Sequence, residues 1–250
     1  MHAKETYRYG NVIKMKIHIL GTRGEIEESG PYHSKQSGIL IDDVLLLDLG
    51  EKSYLDRNPK WILISHFHPD HAYFIRKGHE EIPTTRAKLF APEKPAHQEI
   101  ATKIHVLDEK KKIGPYEITP IPTHHSKHVK SQAYLVTTSS SSLLYTSDMV
   151  WIDKQYHSLF RAVDMIITEA SFLRKGGMVN RDTSTGSIYG HNGIPNLLHL
   201  FKDSTKKILF VHFGSWFYKN TAQARKKIQV LGKESGIKAL IGYDGMTLEI

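Results

Sequence analysis

The sequence comprises 250 residues, of which 40% are hydrophobic and 24% are charged, a balance typical of a folded globular protein rather than a disordered one. It contains no cysteine, which excludes disulfides, thiolate nucleophiles and cysteine-based zinc sites, and no apolar run reaches the roughly 18–20 residues of a membrane-spanning helix. The chain has 34 Lys and Arg residues against 26 Asp and Glu residues, a net charge of +8. This charge favours an anionic partner such as RNA, a nucleotide or a phosphorylated metabolite, or else reflects a basic surface that keeps the protein soluble. The 16 histidines mean that a metal site here would be built from imidazole and carboxylate groups. Because the N-terminus lacks a signal-peptide core, we expect a cytoplasmic protein with no membrane partner.

The hydrophobic pattern predicts short strands along most of the chain, with helices between them. Residues 1–14 precede the first patterned strand and are interpreted as an N-terminal extension, and residues 15–250 as a single domain, because no linker-like segment divides them. Strands are predicted at residues 16–20, 38–41, 44–47, 61–64, 88–90, 117–121, 134–136, 143–145, 165–168, 208–213 and 246–250. Helices are predicted at residues 72–77, 94–103, 155–161, 192–201 and 221–235, with Asn192 or His191 capping the fourth. Wholly apolar strands are covered on both faces, so this order predicts an α/β fold in which helices flank two sheets, an αββα sandwich.

The clearest chemical signal is SHFHPDH at residues 65–71, which directly follows an apolar predicted strand. Residues two apart in an extended segment face the same way, so His66 and His68 can reach one cation. Pro69 then favours a turn in the chain. This turn places Asp70 and His71 at the start of the following predicted helix, where they can reach a second cation. Imidazole and carboxylate ligands without thiolate suit Zn²⁺, with Mn²⁺, Fe or Co²⁺ as alternatives.

This segment resembles the signature of the metallo-β-lactamase-fold hydrolases, and other segments typical of that family follow in its order along residues 16–250. These are VLLLDLG at residues 44–50, PTHHS at 122–126, LYTSD at 144–148, FVHFG at 210–214 and YDGM at 243–246. The resemblance implies the αββα fold and a binuclear centre of two divalent ions, with zinc expected. One departure is Ser147, which stands where the family commonly has glycine.

The same resemblance implies which side chains hold the two ions. The implied ligands are His66, His68 and His125 for one ion, Asp70, His71 and His212 for the other, and Asp148 as a bridge between them. Asp48, at the end of its strand, would orient a ligand imidazole, or else is a turn residue. Plainer interpretations exist for Asp148, as a helix cap, and for His212, as a buried core histidine.

The third histidine motif contains several candidates. Successive side chains in an extended segment point in opposite directions, so His124 and His125 cannot both face the metals. The His-Ser pairing of the family selects His125 as the ligand. His124 would then lie at the surface or behind a ligand, and His128 at the mouth of the cleft.

Two further segments favour phosphodiester chemistry. TEASF at residues 168–172 and GHNG at residues 190–193 resemble motifs of the ribonuclease Z-like phosphodiesterases. The resemblance implies that His191 donates a proton at the scissile phosphate and that Glu169 supports it, whereas a simple helix N-cap is the plainer interpretation of His191. A hydroxide held between the two cations would attack the phosphorus, and Asp70 would orient the attacking water or accept its proton.

The expected activity is therefore that of a binuclear zinc-dependent hydrolase, a phosphodiesterase or endonuclease acting on a nucleotide, RNA or phosphorylated metabolite. Basic side chains near the motifs are the predicted contacts of this anionic substrate: Lys127, Lys130, Arg174, Lys175 and Arg181. No segment has room for the inserted arm with which ribonuclease Z binds tRNA. The stretch HSK at residues 125–127 also resembles the compact cyclic-ribose-phosphate phosphodiesterases, so the size of the substrate stays open.

The alternatives are an ester, thioester or lactone hydrolase of the same fold and a non-catalytic nucleic-acid-binding relative. A homodimer is compatible with the sequence.

Overall fold

The computed structural model describes residues 14–250, so the predicted N-terminal extension lies outside the described residues apart from Lys14. The strands are, in chain order, β1 (Lys16–Gly21), β2 (Gly38–Ile41), β3 (Leu45–Leu47), β4 (Trp61–Leu63), β5 (Lys88–Ala91), β6 (Ile104–Val106), β7 (Lys111–Ile113), β8 (Tyr116–Thr123), β9 (Ser131–Thr137), β10 (Ser142–Ser147), β11 (Met165–Ala170), β12 (Met178–Arg181), β13 (Ile188–His191), β14 (Lys207–Phe213), β15 (Lys238–Ile241) and β16 (Thr247–Glu249). The α-helices are α1 (Gln98–Ala101), α2 (Ile194–Phe201), α3 (Ser215–Tyr218) and α4 (Thr221–Glu234), and 3₁₀ helices occur at Lys52–Arg57, Tyr73–Ile75 and Lys154–Phe160. Within residues 14–250 no helix is both long and apolar enough to cross a bilayer.

Most of the strands belong to two large mixed sheets. The first sheet has the order β16-β1-β2-β3-β4-β5-β6, and the second has the order β15-β14-β11-β10-β9-β8-β7. Strands β3 to β6 run parallel to one another, as do β10, β11, β14 and β15. Strands β12 and β13 form a separate antiparallel pair. The carboxyl ends of the parallel strands therefore meet at one edge of each sheet, where sites are commonly built.

The two sheets stack face to face and are covered by helices on their outer faces. Strand β10 shows why, because Leu143 and Tyr145 belong to the apolar cluster between the sheets while Leu144 belongs to the cluster under α2 and α4. A third cluster, which includes Phe74 and Ile100, covers the outer face of the first sheet. Side chains that alternate between two buried faces produce the wholly apolar strands of the sequence. The chain thus has the predicted αββα arrangement.

The prediction of a helix at residues 72–77, directly after the SHFHPDH segment, is wrong. In its place a turn is followed by the short 3₁₀ helix Tyr73–Ile75. The backbone here pairs with Leu49, which donates to the carbonyl of His71 at 2.8 Å and accepts from the amide of Tyr73 at 2.9 Å. These bonds use the groups that a helix would need, so Asp70 and His71 lie in a turn rather than at a helix start.

Other predicted helices also differ in extent or type. Residues 94–103 contain only the single turn of α1, since Pro95 disfavours helical geometry at the residue before it. Residues 155–161 form a 3₁₀ helix rather than an α-helix. The N-cap of α2 is Gly193, with no side-chain cap, so neither His191 nor Asn192 caps it. The Asn192 amide instead donates to the carbonyl of Val150 at 2.8 Å.

A buried histidine ties the segment between β1 and β2 to the rest of the fold. His33 Nδ1 lies 3.0 Å from Thr22 Oγ1, whose own proton goes to Asp244 Oδ1, and His33 Nε2 lies 3.1 Å from Arg225 Nη1. A guanidinium can only donate, so this arrangement requires a neutral His33 with its proton on Nδ1. Burial and the charge of Arg225 lower the pKa of His33 to about 4, against the opposing effect of Asp244.

We therefore expect the stability of the fold to decrease as the pH falls from 6.5, the ordinary pKa of histidine, to about 4. In that window the unfolded chain binds a proton at His33 and the folded chain does not, so acid favours unfolding; above it the contribution of His33 is complete. The free energy of unfolding in urea should be measured across this range for the native chain and for His33→Gln, which keeps a donor and an acceptor but does not titrate. A shallower pH dependence is expected for the variant, and an identical one would contradict the assignment.

Candidate metal centre

The residues predicted as metal ligands converge at the edge where the parallel strands end. Four of them, His66, His68, Asp70 and His71, lie in the segment that follows β4. The other three lie at or after the ends of β8, β10 and β14, at His125, Asp148 and His212. Residues scattered over the chain are thus brought together by the common direction of the parallel strands.

Three residues at these strand ends have left-handed backbone conformations. The φ angles are 59° at Asp48, 54° at Ser147 and 53° at His212. Such conformations are uncommon outside glycine and concentrate at functional sites, where they redirect the chain. The angle at Ser147 also gives a physical reason for a glycine at this position in related sequences.

One group of ring nitrogens consists of His66, His68 and His125. Nδ1 of His68 lies 3.1 Å from Nε2 of His66 and 3.2 Å from Nε2 of His125. Nδ1 of His125 donates to the carbonyl of Gly190 at 2.9 Å, which leaves its Nε2 with a lone pair. Likewise, the Ser65 hydroxyl gives its proton to Asp48 and accepts from Nδ1 of His66 at 3.0 Å, so Nε2 of His66 is also an acceptor. Lone pairs that face each other at this distance fit a shared cation.

A second group consists of Asp70, His71, Asp148 and His212. Nε2 of His212 lies 2.9 Å from Asp70 Oδ2, and Nε2 of His71 lies 3.5 Å from the same oxygen and 3.3 Å from Asp148 Oδ2. Nε2 of His71 and Oδ1 of Asp148 are buried and have no hydrogen-bond partner among the described residues. Two imidazoles and two carboxylates whose donor atoms face one another form a donor set that suits a divalent ion.

Asp148 lies between the two groups. Its Oδ2 is 4.0 Å from Nε2 of His66 and 3.7 Å from Nε2 of His125 in the first group, and 3.3 Å from Nε2 of His71 in the second. No cap role is seen for Asp148, since the nearest following helix, the 3₁₀ helix Lys154–Phe160, has Asp153 at its N-cap. The carboxylate of Asp148 is therefore placed to serve both groups.

Asp48 fixes the orientation of His71. Its Oδ2 accepts from Nδ1 of His71 at 2.7 Å and from the Tyr145 hydroxyl at 2.6 Å, while Ser65 donates its amide to Oδ1 at 2.6 Å and its hydroxyl to Oδ2 at 2.8 Å. The bond to His71 turns the Nε2 lone pair of that ring into the site. Ser65 and Tyr145 were missed in the sequence, because a lone hydroxyl beside a strand carries no pattern of its own.

The electrostatics of the first group favour neutral imidazoles. Burial and the neighbouring imidazoles hold the pKa of His66 well below its ordinary value, and they lower the pKa of His68 to about 4. Burial also lowers the pKa of His125. Neutral imidazole is the form that binds metal.

The second group pairs carboxylates with imidazoles of raised pKa. Burial alone would raise the pKa of Asp70 and Asp148, but the surrounding histidines hold both well below the ordinary value. Burial opposes protonation of His71 and His212, but the adjacent carboxylates outweigh burial, so the pKa of His71 is held well above its ordinary value and that of His212 is raised. A metal ion bound here would displace those protons.

His191 and Glu169 form a pair beside this cluster. Nδ1 of His191 lies 2.8 Å from Glu169 Oε2 and 3.9 Å from Asp148 Oδ2, and Glu169 is held by the amide of Met149 at 2.8 Å. Burial opposes protonation of His191, but the charge of Glu169 and its hydrogen bond outweigh burial and raise the pKa of His191 to about 9. The imidazole is therefore set to carry a proton. Ser171, which the sequence did not single out, lies between His191 and His212 at 3.3 and 3.0 Å from their Nδ1 atoms.

A small cavity of about 290 Å³ opens onto these groups. It is lined by His68, Asp70, Asp148, His191 and His212 of the cluster, and by Gly24, Glu25, Ile26, Ser171, Phe172, Met178, Gly214, Ser215 and Trp216. The ring of His212 approaches Gly24 so closely that a β-carbon there would lie 3.0 Å from it, so a glycine is needed at this wall. Among the cavities described, this is the one from which a small molecule can contact both His191 and the ligand cluster.

The structure does not bring the predicted basic contacts to this cavity, and the lining gives no support to Lys127, Lys130, Arg174, Lys175 or Arg181 as contacts of the reacting group. Lys127 and Lys130 line a separate cavity together with His128, which therefore does not lie at the mouth of the site. The Arg174 guanidinium lies 5.6 Å from the ring centroid of Phe172, which itself lines the cavity. Lys175 and Arg181 are exposed. Contact of these five side chains with a substrate that extends beyond the cavity stays a prediction.

Comparisons with known proteins agree with this geometry. A family model described as the beta-lactamase superfamily domain matches residues 49–213, which include all seven predicted ligands. No curated protein sequence matches the chain. Among solved structures, the metallo-beta-lactamase fold protein YhfI from Bacillus subtilis is 19% identical, with a TM-score of 0.70 over 95% of this chain and 100% of that chain. A diphosphatase of the PhnP family is 13% identical (TM-score 0.65, 95% and 98% covered), as is the short form of human tRNase Z (TM-score 0.59, 93% and 98% covered). At these identities the likeness shows a shared fold.

Proposed function

The chain belongs to the beta-lactamase superfamily and has the metallo-β-lactamase fold, and on that premise we propose that it is a binuclear zinc-dependent phosphodiesterase. The two groups of ligand atoms, with Asp148 Oδ2 within 4.0 Å of imidazole nitrogens of both, support a pair of divalent ions. The substrate is a phosphodiester of the nucleotide, RNA or phosphorylated-metabolite class.

The observation that carries the proposal is the position of His191. Its Nδ1 is held by Glu169, its side chain lines the cavity, and it lies beside Asp148 and His212 without displacing either. A protonated imidazole next to a metal cluster supplies an acid for a poor leaving group. Hydrolysis of a phosphodiester with an alkyl leaving group is accelerated by such an acid, because an alkoxide otherwise leaves with a full negative charge.

The bound ions would act as Lewis acids toward the phosphate and increase the acidity of the attacking water. The remaining chemistry belongs to the side chains. Asp70, ionised and hydrogen-bonded by His212 at 2.9 Å, orients the attacking water and accepts its proton. As the phosphorus–oxygen bond breaks, His191 passes its proton to the departing oxygen, and Glu169 compensates the charge of the imidazolium before that transfer.

The proposal is tested by comparing two substrates with one leaving group. The purified full-length chain, with its metal content measured, is assayed on bis(p-nitrophenyl) phosphate and on p-nitrophenyl acetate, before and after chelation. We expect phosphodiester turnover that exceeds ester turnover, is lost on chelation and returns with Zn²⁺, Mn²⁺ or Co²⁺.

Two results would overturn it. Ester turnover without phosphodiester turnover would assign the site to carboxylic-ester chemistry. Nucleic-acid binding that survives chelation, with no turnover under any metal, would assign the chain to a non-catalytic binding role.

A further inference from the structure

Four apolar side chains line the cavity. They are Ile26, Phe172, Met178 and Trp216, which we call the apolar wall. Each comes from a different segment: the loop after β1, the residues after β11, the hairpin strand β12, and α3. Because four separate parts of the chain supply apolar surface to the cavity that holds the reacting groups, the wall is a feature of the folded site rather than of any single motif.

The two aromatic members of the wall are held in fixed orientations. The indole nitrogen of Trp216 donates to the carbonyl of Ala170 at 3.0 Å. The ring of Phe172 is held near the His191 imidazole, with a centroid separation of 6.1 Å, and near Arg174. Rigid rings lose little entropy when a ligand packs on them, so they favour a flat apolar group.

Met178 belongs to the wall because of its register in the hairpin. It lies directly opposite His191 in the β12–β13 pair, and residues opposite each other project on the same face. Its neighbour Val179 lies opposite Gly190 and projects on the other face. The two side chains are almost equally exposed, at 44% and 45%, yet only Met178 lines the cavity.

The charges around the cavity are unsuited to a polyanion. Among the described residues that line it, none is Lys or Arg, and the one charged side chain outside the His and Asp cluster is Glu25. Glu25 is paired with Arg76 at 3.0 Å, which neutralises that cation as well. A polynucleotide carries a phosphate on each side of the scissile one, and within the cavity those phosphates would meet a carboxylate and apolar side chains, with Arg174 beside Phe172 as a cation outside the lining.

We propose that the group next to the scissile phosphate is a small, uncharged, apolar ring packed on the apolar wall, so that the substrate is a compact phosphoester with an aryl-like substituent and not an RNA chain. This inference rests on the proposed phosphodiesterase function. The cavity volume of about 290 Å³ fits a substrate of that size.

The test measures binding and turnover separately. Calorimetry on the metal-loaded full-length chain compares phenylphosphonate with methylphosphonate, which share one anionic group and differ in the ring. We expect phenylphosphonate to bind about tenfold more tightly, because the ring buries apolar area on the wall. Met178→Ser and Trp216→Leu should reduce this ratio several-fold, while the matched control Val179→Ser leaves it unchanged. Met178 is nearly half exposed, so its replacement is not expected to impair folding.

Turnover supplies the second readout. The ratio of kcat/KM for phenyl p-nitrophenyl phosphate to that for methyl p-nitrophenyl phosphate, which share one leaving group, should be well above one in the native chain and should fall in Met178→Ser, and a short RNA oligonucleotide should be the poorer substrate. If the oligonucleotide is the better substrate, or if the phenyl and methyl phosphonates bind equally, the inference is overturned while the phosphodiesterase function stands. If neither phosphodiester is cleaved, the proposed function fails, and the phosphonate binding ratio still decides whether the wall selects a ring.

Discussion

Replacement of Asp148 with asparagine is expected to lower phosphodiester turnover by about 10³-fold and to reduce the metal content of the purified chain. Asp148 Oδ2 lies within 4.0 Å of imidazole nitrogens from both ligand groups, and the side chain is buried. An amide has nearly the same shape but no negative charge, so it cannot compensate two neighbouring cations. Loss of about 4 kcal/mol of transition-state stabilisation corresponds to that factor.

The matched control is Asp153→Asn, five positions along the chain. Asp153 forms a half-exposed ion pair with His124 at 2.9 Å, and such surface pairs contribute little. Metal content by elemental analysis and turnover on bis(p-nitrophenyl) phosphate should be native-like in this control. An Asp148→Asn protein that retains full metal content and full turnover would show that this carboxylate does not join the two groups.

Replacement of His191 with glutamine is expected to lower kcat by 10²- to 10⁴-fold on a diester with an alkyl leaving group, with metal content unchanged. The side chain lies at the cavity and is held by Glu169, but it is not needed to complete either ligand group described above. Glutamine cannot donate a proton to a departing alkoxide. The loss should be smaller on bis(p-nitrophenyl) phosphate, since p-nitrophenolate departs readily without an acid.

This dependence on the leaving group distinguishes proton donation from a structural role. Glu169→Gln should show the same trend in weaker form, because it removes the charge that keeps His191 protonated. The control is His199→Gln, an exposed histidine on α2 outside the cavity, which should behave as the native chain. Equal losses on both diesters in His191→Gln, or loss of metal, would contradict the role of His191 as an acid.

The agreement between sequence and structure is closest where chemistry and strand pattern coincide. The motifs that resemble those of the metallo-β-lactamase-fold hydrolases implied seven ligands, and the structure places these seven side chains in two neighbouring groups. The reason is that short buried strands have strong apolar patterns, and their carboxyl ends meet at one edge in a parallel arrangement. Strands without such a pattern, including the exposed hairpin strand β12 and its partly buried partner β13, were not predicted.

The sequence by itself determined the αββα layering, which depends on local patterns of polarity, and the resemblance of its motifs to a known family indicated the residues that gather at the edge of the sheets. Only the tertiary structure decided the turn at Asp70, where pairing with Leu49 overrides a helix, and which side chains line the cavity. It also decided the apolar wall, whose members are far apart in sequence. Side-chain direction and long-range packing depend on contacts between segments, and no periodicity within one segment encodes them.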